Sequence, residues 1–149
     1  MNVGNESRNA TKQPFLSLII PMFNVERYLG ELFASIDAQA VDVSLMEFIF
    51  VDDGSSDGSA QYAEAWLAQR RMAGRVLRQT NQGPSVARNR GIDEATGTWM
   101  TFPDSDDVLG VDYLKIVLEV LRRAPARVAA LATNIVYLDE RTGALQDDH

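Results

Sequence analysis

The sequence contains no cysteine and a single histidine, His149, the last of its 149 residues. The first absence removes disulfides, thiolate zinc sites and cysteine nucleophiles together, and fits a reducing compartment. The second leaves serine triads, imidazole general bases and histidine-ligated metals without an internal partner. No run approaches the ~20 consecutive apolar residues of a membrane span, and the opening "MNVGNESRNATKQP" lacks the apolar centre of a secretion signal. No integral membrane segment is expected, residues 1–14 read as a flexible leader, and the expected location is cytoplasmic. Positive charge is also scarce: 14 Lys and Arg stand against 21 Asp and Glu, a formal net charge of −7. No nucleic acid partner is expected for such a chain. What remains is carboxylate chemistry, on a chain whose 46% hydrophobic content suits one compact core.

Short apolar runs alternate with longer helical patterns, which predicts an α/β fold with repeated βα units around a mostly parallel sheet. "LSLIIP" (16–21), "EFIFVD" (47–52), "RVLRQ" (75–79), "WMTFP" (99–103) and "VAALATNIVYL" (128–138) read as its strands. Tyr28, Leu29, Leu32, Phe33 and Ile36 recur at helical spacing, in a helix ending near Gln39. Further helices are expected over 59–71, with Tyr62, Ala65, Trp66 and Leu67 inward, over 85–95, and over 111–123 before Pro125. A turn is expected at 141–143. In open α/β sheets ligands sit beyond the carboxyl ends of the strands. The turns "PMFN", "VDDGSSDGS" and "FPDSDD" all occupy that position and should face one cleft.

Each turn has more than one reading. "VDDGSSDGS" makes a sound strand–turn–helix junction, with Gly54 and Gly58 permitting the bend and Ser56 or Asp57 capping the helix. Asp53, Ser55, Asp57, Gly58 and Glu64 also match a calcium-loop spacing, although that loop needs a helix leading in and "EFIFV" is strand-like. In a third reading Asp53 accepts a ligand's N–H. In "PMFN", Pro21 closes the sheet hydrogen bonding, and Phe23 is either core or an aromatic ring at a strand tip that stacks on a planar base. In "FPDSDD", Asp104 and Asp106 stand two apart and converge if the backbone is extended. Two such charges about 5 Å apart repel by roughly 3 kcal/mol at an effective dielectric of 20, and Asp107 adds to this. Something positive should compensate. Water and salt could do so on a surface loop, but a hard divalent cation compensates better and keeps positions open for phosphates.

"MTFPDSDDVL" resembles the strand-plus-DxDx motif of haloacid-dehalogenase-like phosphatases, with Asp104 as nucleophile. That motif usually opens its domain, whereas three βα units precede it here, and Val108 replaces the usual threonine. The four motifs "PMFN", "VDDGSSDGS", "NQGPSVARNRGI" and "FPDSDD", in this order, resemble glycosyltransferase family 2, inverting enzymes of the GT-A fold, over about residues 16–137. The resemblance implies a Rossmann-like, mostly parallel sheet flanked by helices, with residues 15–138 as the donor-binding domain. It implies a nucleoside-diphosphate sugar donor, most often a UDP sugar, bound with Mn2+ or Mg2+. Pro21 and Phe23 would line the base pocket with Asn24, and Asp53 would accept from the base. Asn81 and Gly83 would lie near the nucleotide, Arg88 near the base or diphosphate, and Asp104 and Ser105 near the ribose or sugar. Asp106, with Asp104, would hold the metal.

The sequence departs from the family at Phe23, often tyrosine, and at Pro103, usually aliphatic, which removes a backbone donor before the acidic turn. The family's base is an Asp or Glu in an acceptor-binding half, of which residues 139–149 would be the start. A glycan or lipid-linked hydroxyl acceptor, and a place at the inner membrane face, are implied for a full-length protein in cell-envelope polysaccharide synthesis. This chain alone would then bind donor without transferring sugar. The alternatives are the phosphatase and a noncatalytic nucleotide- or calcium-binding module.

Overall fold

A computed structural model of the chain describes residues 13–130, 136–138 and 145–147. Two strands carry the centre. All seven residues of β1 (Leu16–Met22) and all seven of β2 (Met46–Asp52) are buried. That is why both read as continuous apolar runs: a central parallel strand is covered on both faces and needs no polar alternation. With β3 (Gly74–Arg78) and β4 (Trp99–Thr101) they form one sheet in the order β3-β2-β1-β4, every pairing parallel. The mostly parallel α/β sheet expected from the sequence is therefore what forms. β4 is shorter than the expected strand 99–103. Its last partner pair is Leu18 with Thr101, and Pro103, two residues on, has no N–H to extend the ladder.

Alternation along β1 and β2 sorts their side chains between two layers. Leu16, Leu18, Ile20, Met22, Phe48 and Phe50 join the larger core with residues of α1 (Glu26–Asp37), α2 (Ser59–Arg70) and α4 (Tyr113–Arg123). Trp66 of α2 lies flat against Phe33 of α1, ring centroids 4.5 Å apart, and meets Phe48 and Phe50 edge-on. Ile19, Ile49 and Val51 point to the other face and pack on Ala87 of α3 (Pro84–Glu94). α3 approaches so closely that a Cβ on Gly91 would fall 2.3 Å from the Ile19 side chain.

Two expectations are corrected. The inward face of α2 is Ala60, Ala63, Trp66 and Leu67, whereas Ala65 and Tyr62 are exposed. Of the strand expected over 128–138, residues 128–130 are not strand, 131–135 lie outside the described residues, and Val136–Leu138 forms β5, which pairs antiparallel with β6 (Leu145–Asp147) in a separate two-stranded sheet. The turn expected at 141–143 lies outside the described residues, as do residues 1–12 of the expected leader; Gln13 is described and donates through Nε2 to the Thr96 carbonyl at 2.8 Å. No helix among the described residues is long and apolar enough to cross a membrane.

At the amino edge of the sheet Glu47 is the buried linchpin. Its Oε1 accepts from Ser17 Oγ (2.7 Å), Thr96 N (2.6 Å), Thr96 Oγ1 (2.9 Å) and Gly97 N (3.1 Å), tying the α3–β4 connection to the β1–β2 pair. Burial pushes this carboxyl up, but the hydrogen bonds from Thr96, Ser17 and Gly97 outweigh it and hold it below its ordinary value of 4.5. Glu47→Ala strands these donors and is expected to cost about 3 kcal/mol in urea unfolding. The sign for pH follows from the lowered value: stability from Glu47 is fully present above pH 4.5 and is lost as pH falls through the folded-state value. The wild-type protein should therefore lose stability on acidification over this window more steeply than the Glu47→Ala variant, a comparison made by urea midpoints at pH 7 and pH 4.

Candidate functional site

Because β2 and β3 lie to one side of β1 and β4 to the other, the strand order reverses beside β1. The crevice at the carboxyl ends of β1 and β4 is the switch point where sheets of this kind take ligands. The turns after β1, β2 and β4 all open onto this edge. Pro21 does not end the sheet as expected: it sits inside β1, buried and opposite Val51, and the strand continues to Met22. Phe23 follows immediately and is 48% exposed, outside both core clusters.

The next residue, Asn24, has a left-handed backbone (φ 53°), a region that asparagine tolerates better than most side chains. It interlocks with the turn after β2. Asn24 N donates to Ser55 Oγ at 3.0 Å, while Asn24 Oδ1 accepts from Ser56 N at 2.8 Å and from Ser56 Oγ at 3.2 Å. One residue on, Val25 N donates to Ser59 Oγ at 3.0 Å. Glu26 N then donates to Asp57 Oδ2 at 3.1 Å, and Gly58 N returns a bond to Glu26 Oε2 at 2.8 Å. The cap expected of Asp57 serves both helices: its Oδ1 accepts from Ser59 N, the first residue of α2, at 3.0 Å and its Oδ2 from the first residue of α1, while Glu26 serves the residue preceding α2.

Asp53 is the most enclosed carboxylate of the edge, 3% exposed. Its Oδ1 accepts from Gln79 Nε2 (2.7 Å) and Gln82 N (2.9 Å), and its Oδ2 from Gly83 N (2.7 Å). Burial raises its pKa, and the bonds from Gln79, Gln82 and Gly83 more than reverse this, leaving it below the ordinary 3.8. A carboxylate has about four acceptor sites, so one remains. Gly54 (φ 81°) lets the two turns touch, since a Cβ there would sit 2.9 Å from Asn81 N. Asn81 is exposed above this contact. Gly83 (φ 91°) precedes Pro84 and starts α3, with open space where its side chain would be.

The acidic segment is not extended. Asp107 N donates to the Asp104 carbonyl at 3.2 Å, closing a turn over Ser105 and Asp106, so the extended i, i+2 convergence expected of Asp104 and Asp106 is corrected. Ser105 is buried in the turn, while Asp104 and Asp106 are exposed. The compensating charge is Arg88 of α3, whose Nη2 hydrogen-bonds Asp104 Oδ1. Asp107 is pushed above the ordinary range by partial desolvation and by the charges of Asp104 and Asp106. Among the described residues no three acidic or histidine side chains gather into a metal-holding group. A Mg2+-like ion commonly takes only one or two protein carboxylates and completes its shell with water and substrate phosphates. The exposed hard oxygens of Asp104 and Asp106, in excess over the one arginine beside them, fit that donor set.

The calcium-loop reading does not survive this geometry. Asp53 binds the 79–83 loop, Asp57 binds Ser59 and Glu26, and Glu64 pairs with Arg78 at 3.0 Å, so the proposed ligands face different partners. The residues missed from sequence are Glu26, Gln79 and Gln82, and the partnership of Ser55 and Ser56 with Asn24 was not expected either. Their signal was indirect: pairing Met22 with Asp52 makes neighbours of the two turns that follow. Two half-open grooves lie elsewhere, one of about 440 Å³ at the amino edge beside Glu47 and Arg75 and one of about 790 Å³ between β4 and α4. The carboxyl edge itself is an open crevice.

A model of the family described as glycosyl transferase family 2 matches residues 17–148. The putative glycosyltransferase EpsH of Bacillus subtilis is 34% identical over 134 residues, covering 90% of this chain and 37% of that protein. An uncharacterized glycosyltransferase of Haemophilus influenzae is 36% identical over 102 residues, covering 68% of this chain and 40% of that protein. The chain therefore spans well under half the length of these relatives. Among solved structures, TarS 1-349 of S. aureus in complex with UDP superposes with a TM-score of 0.67 and 31% identity over 72% of this chain and 32% of that one. The mannosyltransferase PcManGT of Pyrobaculum calidifontis, solved with GDP-Man and Mn2+, shares the fold at a TM-score of 0.67 and 24% identity, over 73% of this chain and 32% of its own.

The Asp53 cluster generates a test of its own. Because the folded-state pKa is lowered, the clamp on residues 79–83 is intact above pH 3.8 and loosens as pH falls through the folded value. Amide exchange at Gln82 and Gly83, followed by NMR, should be protected at neutral pH. In Asp53→Ala that protection should drop by about tenfold or more at neutral pH, the equivalent of 1–3 kcal/mol for a lost charged hydrogen bond.

Proposed function

The chain belongs to glycosyltransferase family 2, and on that premise we propose that it is the donor-binding part of an inverting, metal-dependent glycosyltransferase that takes a UDP sugar at the carboxyl edge of its sheet. One observation carries the reading: Phe23, Asp53 and the Arg88–Asp104 pair all lie at the carboxyl edge, around the β1/β4 switch point. An exposed ring at a strand tip suits stacking on a base, worth about 1–3 kcal/mol in single-strand nucleic-acid binders. Asp53 retains one acceptor site for a base N–H, and Asn81 and Gly83 stand beside it. UDP is bound in the complex of TarS, a relative at 31% identity, which supports a uridine nucleotide.

In this reading the departing diphosphate is the leaving group, and the protein's task is to hold its charge. Arg88 does so by exchanging its present partner, Asp104, for diphosphate oxygens. Asp106 and Asp104 would hold the divalent ion, Mn2+ or Mg2+, which would supply Lewis-acid neutralisation of the leaving group. Ser105 lies buried in the turn between these two carboxylates. The remaining requirement is a base for the acceptor hydroxyl. We assign it to an Asp or Glu outside this chain, in an acceptor-binding part of a longer protein acting on a glycan or lipid-linked acceptor in cell-envelope polysaccharide synthesis.

Calorimetric titration of UDP with and without Mn2+ tests the reading. Binding should require Mn2+ and weaken by about tenfold or more in Asp106→Asn, a change of about 1.4 kcal/mol. Equal binding in EDTA would remove the metal from the proposal, and no binding under any condition would remove the donor. Incubation with UDP sugars and mixed acceptors should give no transfer product by mass spectrometry.

A further inference from the structure

We propose that Asn24 is a positioning residue which, by clasping the turn after β2, sets the direction in which the Phe23 ring is presented to the base; the inference rests on the donor-binding reading above. Phe23 is half-exposed and belongs to neither core cluster, so side-chain packing does not fix its direction. Its backbone does. β1 ends at Met22, and the next anchor beyond Phe23 is Asn24, held in the left-handed region at φ 53°. Three successive backbone donors, Asn24 N, Val25 N and Glu26 N, go to side chains of the neighbouring turn: Ser55, Ser59 and Asp57. Asn24 Oδ1 adds the return contacts to Ser56 N and Ser56 Oγ. Phe23 is thus a single residue suspended between a sheet ladder and a hydrogen-bonded clasp.

The same bonds say what Asn24 is not. Its backbone N–H and its side-chain oxygen are both engaged by the 55–56 segment, so its acceptor is not offered to the ligand, and an Asn24→Asp variant, which keeps that acceptor but lacks the Nδ2 donors, separates the clasp from any direct contact by the amide. The position needs two properties together, tolerance of a positive φ and a short side-chain acceptor. Glycine has only the first, alanine neither, and aspartate both.

The test is a double-mutant cycle on UDP affinity, read by calorimetry with Mn2+ present and well below the melting temperature of each variant. Phe23→Ala should weaken UDP binding by about 5- to 10-fold or more, as expected for a lost stacking contact. Asn24→Gly, which keeps the backbone conformation and its donors and removes the side-chain contacts to Ser56, should weaken it by a similar factor, and Asn24→Asp should restore most of the loss. In the Phe23→Ala background Asn24→Gly should then have no further effect, because the clasp acts only through the ring. If Phe23→Ala weakens binding but Asn24→Gly leaves it unchanged, or if the two losses add, the positioning role is overturned while the donor site stands. If Phe23→Ala itself leaves UDP affinity unchanged, base stacking falls and the inference falls with it. A purely structural Asn24 would lower the melting temperature of Asn24→Gly without the non-additive loss of affinity.

Discussion

The β1–β2 ladder runs in parallel register from Leu16 opposite Met46 to Met22 opposite Asp52, and the carboxyl edge depends on that last rung. Two chains leaving a sheet side by side each carry backbone donors with no ladder partner, and buried or half-buried donors must find one. Here each turn supplies what the other lacks. Asp53 N donates to the Met22 carbonyl at 2.8 Å, so the ladder runs on for one more bond, and the serines and acids of the second turn then take the donors of the first. A one-residue slip of this register would exchange the two faces of β1. It would also separate the turns, so the core and the site share one constraint.

Charge is handled differently at the two ends of this edge. Asp53 and Asp57 are buried or half-buried carboxylates surrounded by donors, and both are held below their ordinary pKa despite burial. Asp57 is a structural anion, and Asp53 is nearly saturated, with one acceptor site left for a ligand. Around Asp104, Asp106 and Asp107 the one ion pair among the described residues is that of Arg88 with Asp104, and Asp107 is shifted the opposite way. A site that gathers negative charge without neutralising it is poised to take up positive charge, which is the physical sense of reading the acidic turn as a cation site.

Much of this was legible in the sequence because the strongest signals are one-body. β1 and β2 needed only an unbroken apolar run, and α1 only the spacing of Leu29, Leu32, Phe33 and Ile36. The α2 face was harder. Alanine is nearly indifferent to burial, so Ala60, Ala63 and Ala65 do not fix the helical phase, and Tyr62 stays exposed while setting its ring edge-on to Phe33. The acidic segment was misread as extended because carboxylate spacing says nothing about the bond from Asp107 N that curls it. The Asn24–Ser56 clasp and the Asp53 clamp join residues about thirty positions apart. No local pattern announces such a pair, and only the register of the sheet brings its members together. The hairpin of β5 and β6 likewise depends on a pairing choice that an apolar run leaves open.

Gly91 shows how far one missing methyl group can act. It lets α3 press against Ile19 on the face of the sheet away from the large aromatic core. Arg88 rides on the same helix three residues earlier, and its guanidinium meets Asp104 across the crevice. The spacing between helix and sheet, set deep in the smaller core, is therefore also the reach of the arginine. A bulkier residue at 91 would lift α3 and draw Arg88 with it, so a substitution far from any charge would be felt as a change in electrostatics. Selection for a tight interior and for a well-placed cation would then act on the same residue, and neither could drift without the other.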